Sequence, residues 1–275
     1  MTTITNIDSL RALMGLNQAN KTISQASQRL STGLRVNSAA DDVAGLAVAN
    51  DLKTQIGSFN AVLTNIAQGS AVTQTIDSAL TEIVDILGYM REAAVAAESD
   101  SLSTAEYEAY DDEIAAYVTA IDTISTNATW NGTSLMSSEA FTMAIQTGVN
   151  SGNSTTLSFD LITTEELSID TLDVTANGDA SGAVDSIDAA LDTVNTYQAY
   201  IGSMSNVMDS QYTVANDTVT NFSAAYGNIM NADYAAETAK LAAAQIQRDG
   251  AAAMMLQSND LDRSLVDYLL KSVSN

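Results

Sequence analysis

From Val184 to Ile229 the apolar side chains keep a strict seven-residue repeat, and this repeat constrains the fold more than any other feature of the sequence. Val184, Leu191, Gln198, Ser205, Tyr212, Val219 and Tyr226 hold one register, and Ile187, Val194, Ile201, Met208, Ala215, Phe222 and Ile229 hold the other. Twelve of these fourteen are apolar or aromatic, which is the sustained heptad pattern of a long helix with a coiled-coil seam. At a rise of about 1.5 Å per residue such a helix is a rod on the order of 70 Å long. A rod with one apolar stripe needs other helices to cover it.

Two more stripes in the first half supply them. Ile76, Leu80, Ile83, Leu87, Met90, Ala94 and Ala97 alternate steps of four and three, and so do Tyr107, Tyr110, Ile114, Tyr117, Ile121, Ile124 and Ala128. Between the two stripes, Ser103 stands three residues before Glu106, the spacing of a capping box that starts the second helix. Three long helices with matching stripes bury them together as an antiparallel bundle. The spacing changes only near 141–175. There Phe141, Met143 and Ile145 alternate with polar neighbours, GVNSGNS supplies a turn, and Leu157, Phe159 and Leu161 alternate again, which predicts a β-hairpin. The fold class expected is therefore mainly α, a long-helix bundle or coiled coil with one small hairpin.

Each end of the chain adds an amphipathic helix outside this bundle. Leu16, Ala19, Ile23, Ala26 and Leu30 step by three and four, and Gly33 is placed to stop that helix. A new helix is expected to begin near Ser38, with Asp41 and Asp42 in its first turn facing the positive end of the helix dipole. The last 36 residues carry the alanine triplets 242–244 and 251–253, then Leu261, Leu265, Tyr268 and Leu269. A lone amphipathic helix is marginal in water unless its apolar face is packed. The two terminal helices must pair with each other, pack on other copies, or dock on the bundle of the same chain.

Composition removes most chemistry. With no His and no Cys, the chain lacks an imidazole base, a thiolate nucleophile and the usual zinc, haem or iron-sulfur ligands. No phosphate-binding glycine loop or G-x-S-x-G elbow is present. An enzyme is not expected, nor a cofactor or a specific metal site. The net charge of -24 argues against nucleic acid, whose phosphates call for clustered Lys and Arg. That charge is unevenly placed: residues 92–239 hold 23 carboxylates and no basic residue, while 1–91 and 240–275 are close to neutral. Charge at that density must face water, whereas neutral segments can pack against copies of themselves. No apolar run reaches the length of a membrane span, and MTTITNIDSLRALMG lacks the basic and apolar regions of a cleavable signal.

The acidic clusters have plain explanations. Asp111, Asp112 and Glu113 follow one another around a helix instead of facing across a substrate, which suits a solvated surface and not a glycosidase pair. Asp170, Asp173, Asn177 and Asp179 miss the twelve-residue spacing of a calcium loop. Tyr107, Tyr110 and Tyr117 are expected in the core with their hydroxyls at its edge. Arg35, beside Asn37, Asp41 and Asp42, forms either a local capping network or a contact between subunits.

At this loop a resemblance becomes specific. The run QRLSTGLRVNSAADDVAGLAVANDLKTQI, Gln28 to Ile56, resembles the N-terminal signature of bacterial flagellins. The run from Met90 to Met136, with its Asn-Gly turn, is similar to the next two helices of that family, and NADYAAETAKLAAAQIQRDGAAAMMLQSN is similar to its C-terminal segment. The run Gly88 to Ala93 departs from the family motif that host innate receptors recognise, keeping only Arg91 and Glu92. The family's frequent proline near the C-terminus is also absent, so Leu261 to Leu270 can continue as helix.

The resemblance implies a short flagellin without large outer domains, whose terminal helices form the inner tube of a filament. It divides the chain into 1–40 and 236–275 for that tube and 41–235 for a bundle with a hairpin near 141–162. Inner contacts are then expected at Leu10, Met14, Ile23, Leu30, Leu256, Leu261, Leu265 and Leu269, and a polar assembly loop at Arg35, Asn37, Asp41 and Asp42. It further implies self-assembly into an extracellular flagellar filament for swimming. Export would be without a cleaved signal peptide, through the flagellar export apparatus with an export chaperone, and contacts with hook-junction and cap proteins follow. The rival within the same architecture is a hook-filament junction protein; a secreted coiled-coil adhesin stands further off.

Overall fold

Helices in this protein begin where the sequence supplies caps. The computed structural model describes residues 6–137, 139–175 and 178–273, with Asn177 and the side chains of Phe141, Leu265, Leu269 and Val273 outside the described set. In chain order the elements are α1 (Ile7–Thr32), α2 (Val43–Ala97), α3 (Thr104–Asn127), β1 (Thr129–Trp130), β2 (Thr133–Ser134), β3 (Phe141–Gln146), β4 (Ser154–Phe159), α4 (Ala180–Met230) and α5 (Tyr234–Val273). They form two compact units, one from residues 1–54 and 221–275 and one from residues 55–220.

Asn6 caps α1 by accepting the Ser9 N–H at 2.7 Å, and Gly33, at φ +71°, ends it in the left-handed region that glycine tolerates. The next helix starts later than the sequence suggests, at Val43 instead of near Ser38. Asp42 precedes it as the cap, its Oδ1 accepting the Gly45 N–H at 2.8 Å. Asp41 is used in the loop, where its Oδ2 accepts the Asn37 and Ser38 N–H groups and the Ser38 hydroxyl. A carboxylate satisfies the unpaired first-turn donors from just outside the helix, so these two residues end the loop and do not open the helix. The Ser103–Glu106 capping box forms as expected, with Glu106 Oε2 accepting from the Ser103 N–H and hydroxyl, both at 2.7 Å.

In the 55–220 unit, the α2 stripe from Ile76 to Ala97 is buried along its whole length. Ile114, Ile121 and Ala128 bring α3 into the same core. Tyr107, Tyr110 and Tyr117 are half-buried against it, and the Tyr107 and Tyr117 hydroxyls reach out to the Ser99 carbonyl (3.0 Å) and Glu113 (2.9 Å). On α4, Ile187, Val194, Ile201, Met208 and Ala215 are buried, but the second line of the seam differs from the one the heptad count favours. Ala183, Ala190 and Tyr197 are buried, whereas Val184 and Leu191 are half-buried and Tyr212 is exposed. Both lines flank the Ile187 series, and the small side chains at 183 and 190 let the partner helices approach on their side.

β3 and β4 pair antiparallel from Phe141↔Phe159 to Gln146↔Ser154, with Ile145, Leu157 and Phe159 buried. Leu161 lies past the strand, and Ile162 takes the buried place instead. The hairpin is fixed to the helices at several points. A side chain at Gly69 of α2 would lie 3.1 Å from Ile145 and 3.5 Å from Met208, so glycine permits this approach. Gln211 donates to Thr155 at 2.8 Å, and the Tyr200 hydroxyl accepts the Ser158 N–H at 3.0 Å. The shorter β1–β2 pair turns through Asn131 and Gly132, both at positive φ, as a two-residue hairpin requires.

Candidate assembly interface

The unit formed by residues 1–54 and 221–275 is built on the pairing of α1 with α5. Asn6 meets Ser258, whose hydroxyl donates to Asn6 Oδ1 at 2.8 Å. Further along, a Cβ at Gly15 would lie 3.8 Å from the Ala251 Cβ, and Arg29 donates to Glu237 at 3.3 Å. As the α1 number rises its partner's number falls, so the two helices run antiparallel. Their seam uses small residues: Ala19 and Ala26 on α1 and Ala244 on α5 are buried, and Ile23 and Leu30 lie half-buried on the same α1 stripe.

Glu237 is 5% exposed yet ionised, because Lys240 and Arg29 both donate to its Oε1, at 2.8 and 3.3 Å. The Lys240 hydrogen bond and charge, followed by those of Arg29, hold its carboxyl below the ordinary value. Nothing local in the sequence marks this triad, since Arg29 and Glu237 are brought together only by the pairing of the two ends.

The outer faces of the two helices are apolar. Met14 is 72% exposed, Leu10 48%, Leu256 64% and Leu261 56%. Ile7, Leu13, Ile246, Met254, Tyr268 and Leu270 are also exposed. A two-helix pair has one seam to bury, and these side chains leave an apolar surface uncovered outside it. The expected inner-contact residues thus sort into two kinds. Ile23 and Leu30 serve the seam within the chain, Leu10, Met14, Leu256 and Leu261 face outward, and the side chains of Leu265 and Leu269 lie outside the described residues.

The loop after α1 brings Arg35, Asn37, Asp41 and Asp42 together. Leu34 and Asn231 form an antiparallel bridge, the Arg35 N–H donates to the Met230 carbonyl at 2.6 Å, and the Arg35 guanidinium donates to the Ile229 carbonyl at 2.6 Å. Asp42 lies 3.8 Å from that guanidinium, and the Asn37 amide donates to the Leu34 carbonyl at 3.0 Å. Hydrogen bonds from Ser38 and from the Asn37 and Ser38 N–H groups hold the Asp41 carboxyl below its ordinary value. Beneath the loop, Val36, Ala49 and Met230 form a small core.

Elsewhere, a cleft of about 720 Å³ in the 55–220 unit is lined by Asp160, Glu166, Asp192, Tyr197 and Tyr200 among others. Its tyrosine hydroxyls already accept the Asp160 and Ser158 N–H groups, and burial pushes Tyr197 up to about 12. Asp173 and Asp179, weighed above as calcium ligands, bond instead to Thr175 and to the first turn of α4 at Gly182. Among the described residues no group of three acidic side chains is placed to hold a metal, and no helix is long and apolar enough to cross a membrane.

Both ends of the chain match known proteins. Residues 4–141 match the bacterial flagellin N-terminal helical region, and residues 184–269 match the bacterial flagellin C-terminal helical region. A flagellin of Halalkalibacterium halodurans is 30% identical over 260 residues, covering 93% of each chain. The flagellin FljM of Caulobacter vibrioides is 31% identical over 246 residues, covering 89% of each. The crystal structure of Bacillus cereus flagellin aligns with a TM-score of 0.50 at 25% identity, over 59% of this chain and 94% of that one. A putative flagellar hook-associated protein from Vibrio parahaemolyticus aligns with a TM-score of 0.60 over 70% of this chain and 100% of that one, but at 15% identity it speaks for the fold alone. Models at both ends of the sequence, and relatives aligned over almost all of it, lead to one conclusion: the chain belongs to the bacterial flagellin family.

Proposed function

We propose that the chain works as a structural subunit of the flagellar filament by packing the outer faces of α1 and α5 against those of other copies. The supporting observation is the exposure of Leu10, Met14, Leu256 and Leu261 on a helix pair whose own seam is already filled. Fully burying a side chain of this kind stabilises by about 1.5–3 kcal/mol, and covering these faces contributes part of that at each position. The Arg35 loop is the polar counterpart of that contact: half of the Arg35 side chain is accessible although its bonds within the chain are made. The role is mechanical and not catalytic, and the product is an extracellular filament. Passage through the flagellar export apparatus, a chaperone for the exposed terminal helices, and hook-junction and cap proteins as further partners belong to the same reading.

Seeded polymerisation followed by electron microscopy tests it. The chain is expected to form long tubular filaments, while Met14→Asp and Leu256→Asp remain monomeric with unchanged helix content by circular dichroism. Normal filaments from both variants would refute the interface, and failure of the unaltered chain to extend any seed would refute the polymer. Short caps without long filaments would favour the junction protein.

A further inference from the structure

The cleft of about 720 Å³ in the 55–220 unit has a wall of fixed aromatic rings. Tyr197 and Tyr200, from one turn of α4, stack with ring centroids 6.1 Å apart and planes 14° apart. Each ring is tied to the far wall: the Asp160 N–H donates to the Tyr197 hydroxyl at 3.3 Å and the Ser158 N–H to the Tyr200 hydroxyl at 3.0 Å. Leu161 continues the apolar lining, and Asp160, Glu166 and Asp192 border it with carboxylates. Nothing in the unit neutralises these three. Its single basic residue, Arg91, is committed to Asp188, donating through Nε at 2.6 Å and Nη2 at 3.2 Å. Among the described residues no ion pair includes Asp160, Glu166 or Asp192.

We propose that this cleft binds an aliphatic polyamine, with its ammonium groups toward the carboxylates and its methylene chain along the tyrosine rings and Leu161. The volume lies within the range of about 300–1,000 Å³ usual for small-molecule sites. The charge calls for a cation that the unit itself does not contain, and an anion would meet three unneutralised carboxylates. Among the described residues no three acidic side chains are placed to hold one metal ion. Carboxylates spread around a cleft suit several charges carried on one chain better than a single point charge. The rings complete the match, since the face of a tyrosine attracts an ammonium group and also packs against the CH₂ groups beside it. Because Tyr197 is 4% exposed and both hydroxyls are held by backbone N–H groups, the rings are in place before a ligand arrives.

The test is titration of the unseeded full chain with spermidine, followed by calorimetry and by near-ultraviolet circular dichroism of the tyrosines. A saturable site with one spermidine per chain is expected, together with a change in the tyrosine signal. Glu166→Gln combined with Asp192→Asn is expected to weaken it about fivefold, whereas Glu108→Gln combined with Asp112→Asn, the same charge change on the exposed face of α3, is expected to alter it by less than about twofold. Tyr200→Leu is expected to weaken binding about fivefold and Tyr200→Phe, which keeps the ring, by less than about twofold. Magnesium chloride at equal ionic strength is expected not to displace the spermidine. Equal losses from the two charge-neutralising pairs, binding without saturation, or displacement by magnesium would reduce the effect to the counterion atmosphere of an acidic protein and overturn the proposal. Tighter binding of trilysine than of spermidine would overturn it in favour of a basic peptide. None of these outcomes depends on whether the chain forms filaments.

Discussion

Arg29 and Glu237 stand 208 residues apart in sequence and 3.3 Å apart in space. Their bond, completed by Lys240, is a charged link across the α1–α5 seam in a buried setting, with the Glu237 side chain 7% exposed. Glu237→Gln keeps the shape but removes the charge that both cations meet. It is expected to cost about 1–3 kcal/mol, read as a lower melting temperature of the full chain at neutral pH. Because the folded carboxyl titrates below its ordinary value, its stabilisation is complete above that ordinary value and fades as the pH falls through the folded one. The gap between the unaltered chain and Glu237→Gln should close in acid. A gap that stays constant below the carboxylate range would show that the effect is packing and not charge.

Gly33→Ala tests the end of α1. The residue sits at φ +71°, where a side chain costs about 1–2 kcal/mol, and its Cβ would press on the Tyr234 hydroxyl at 3.3 Å. Faster amide exchange at the end of α1 and in the Arg35 loop is the expected outcome. Protection equal to that of the unaltered chain would mean the loop is held without the cap.

The seam of α4 can be checked by a pair of truncations. Ile187→Ala removes a fully buried side chain and is expected to destabilise by about 2–5 kcal/mol in urea melts. Leu191→Ala, half-buried beside it, should cost no more than about 1.5 kcal/mol. A Leu191→Ala cost as large as that of Ile187→Ala would put Leu191 back in the seam, where the heptad count has it.

Salt should strengthen assembly. With a net charge of -24, copies repel until counterions screen them, so the critical concentration is expected to fall as sodium chloride rises over the range in which the Debye length shrinks from about 30 to 8 Å. An assembly weakened by salt would point to ion pairs between copies as the main contact.

Much of this architecture is legible in the sequence because it rests on local rules. The α2 stripe from Ile76 to Ala97, the Ser103–Glu106 box, the stop at Gly33 and the hairpin from Phe141 to Phe159 all follow from spacing and capping chemistry. The α1 stripe is legible for the same reason. Other features depend on what arrives from far along the chain. The burial of Ala183 and Ala190 in place of Val184 and Leu191 is decided by where the partner helices sit, and small residues give a weak signal in a count of apolar positions. Glu237 looks like any first-turn carboxylate until Arg29 is beside it. Arg35 likewise finds the Ile229 and Met230 carbonyls only once the end of α4 returns to the start of the chain.

The antiparallel pairing of α1 with α5 also bears on the order in which the molecule can form. Asn6 and Ser258 are 252 positions apart, so α1 is made long before the helix it pairs with. Contacts so distant in sequence close slowly. During synthesis α1 is made long before α5, so its side of the seam waits for nearly everything between them, and a chain interrupted before Tyr234 would leave that seam without a partner.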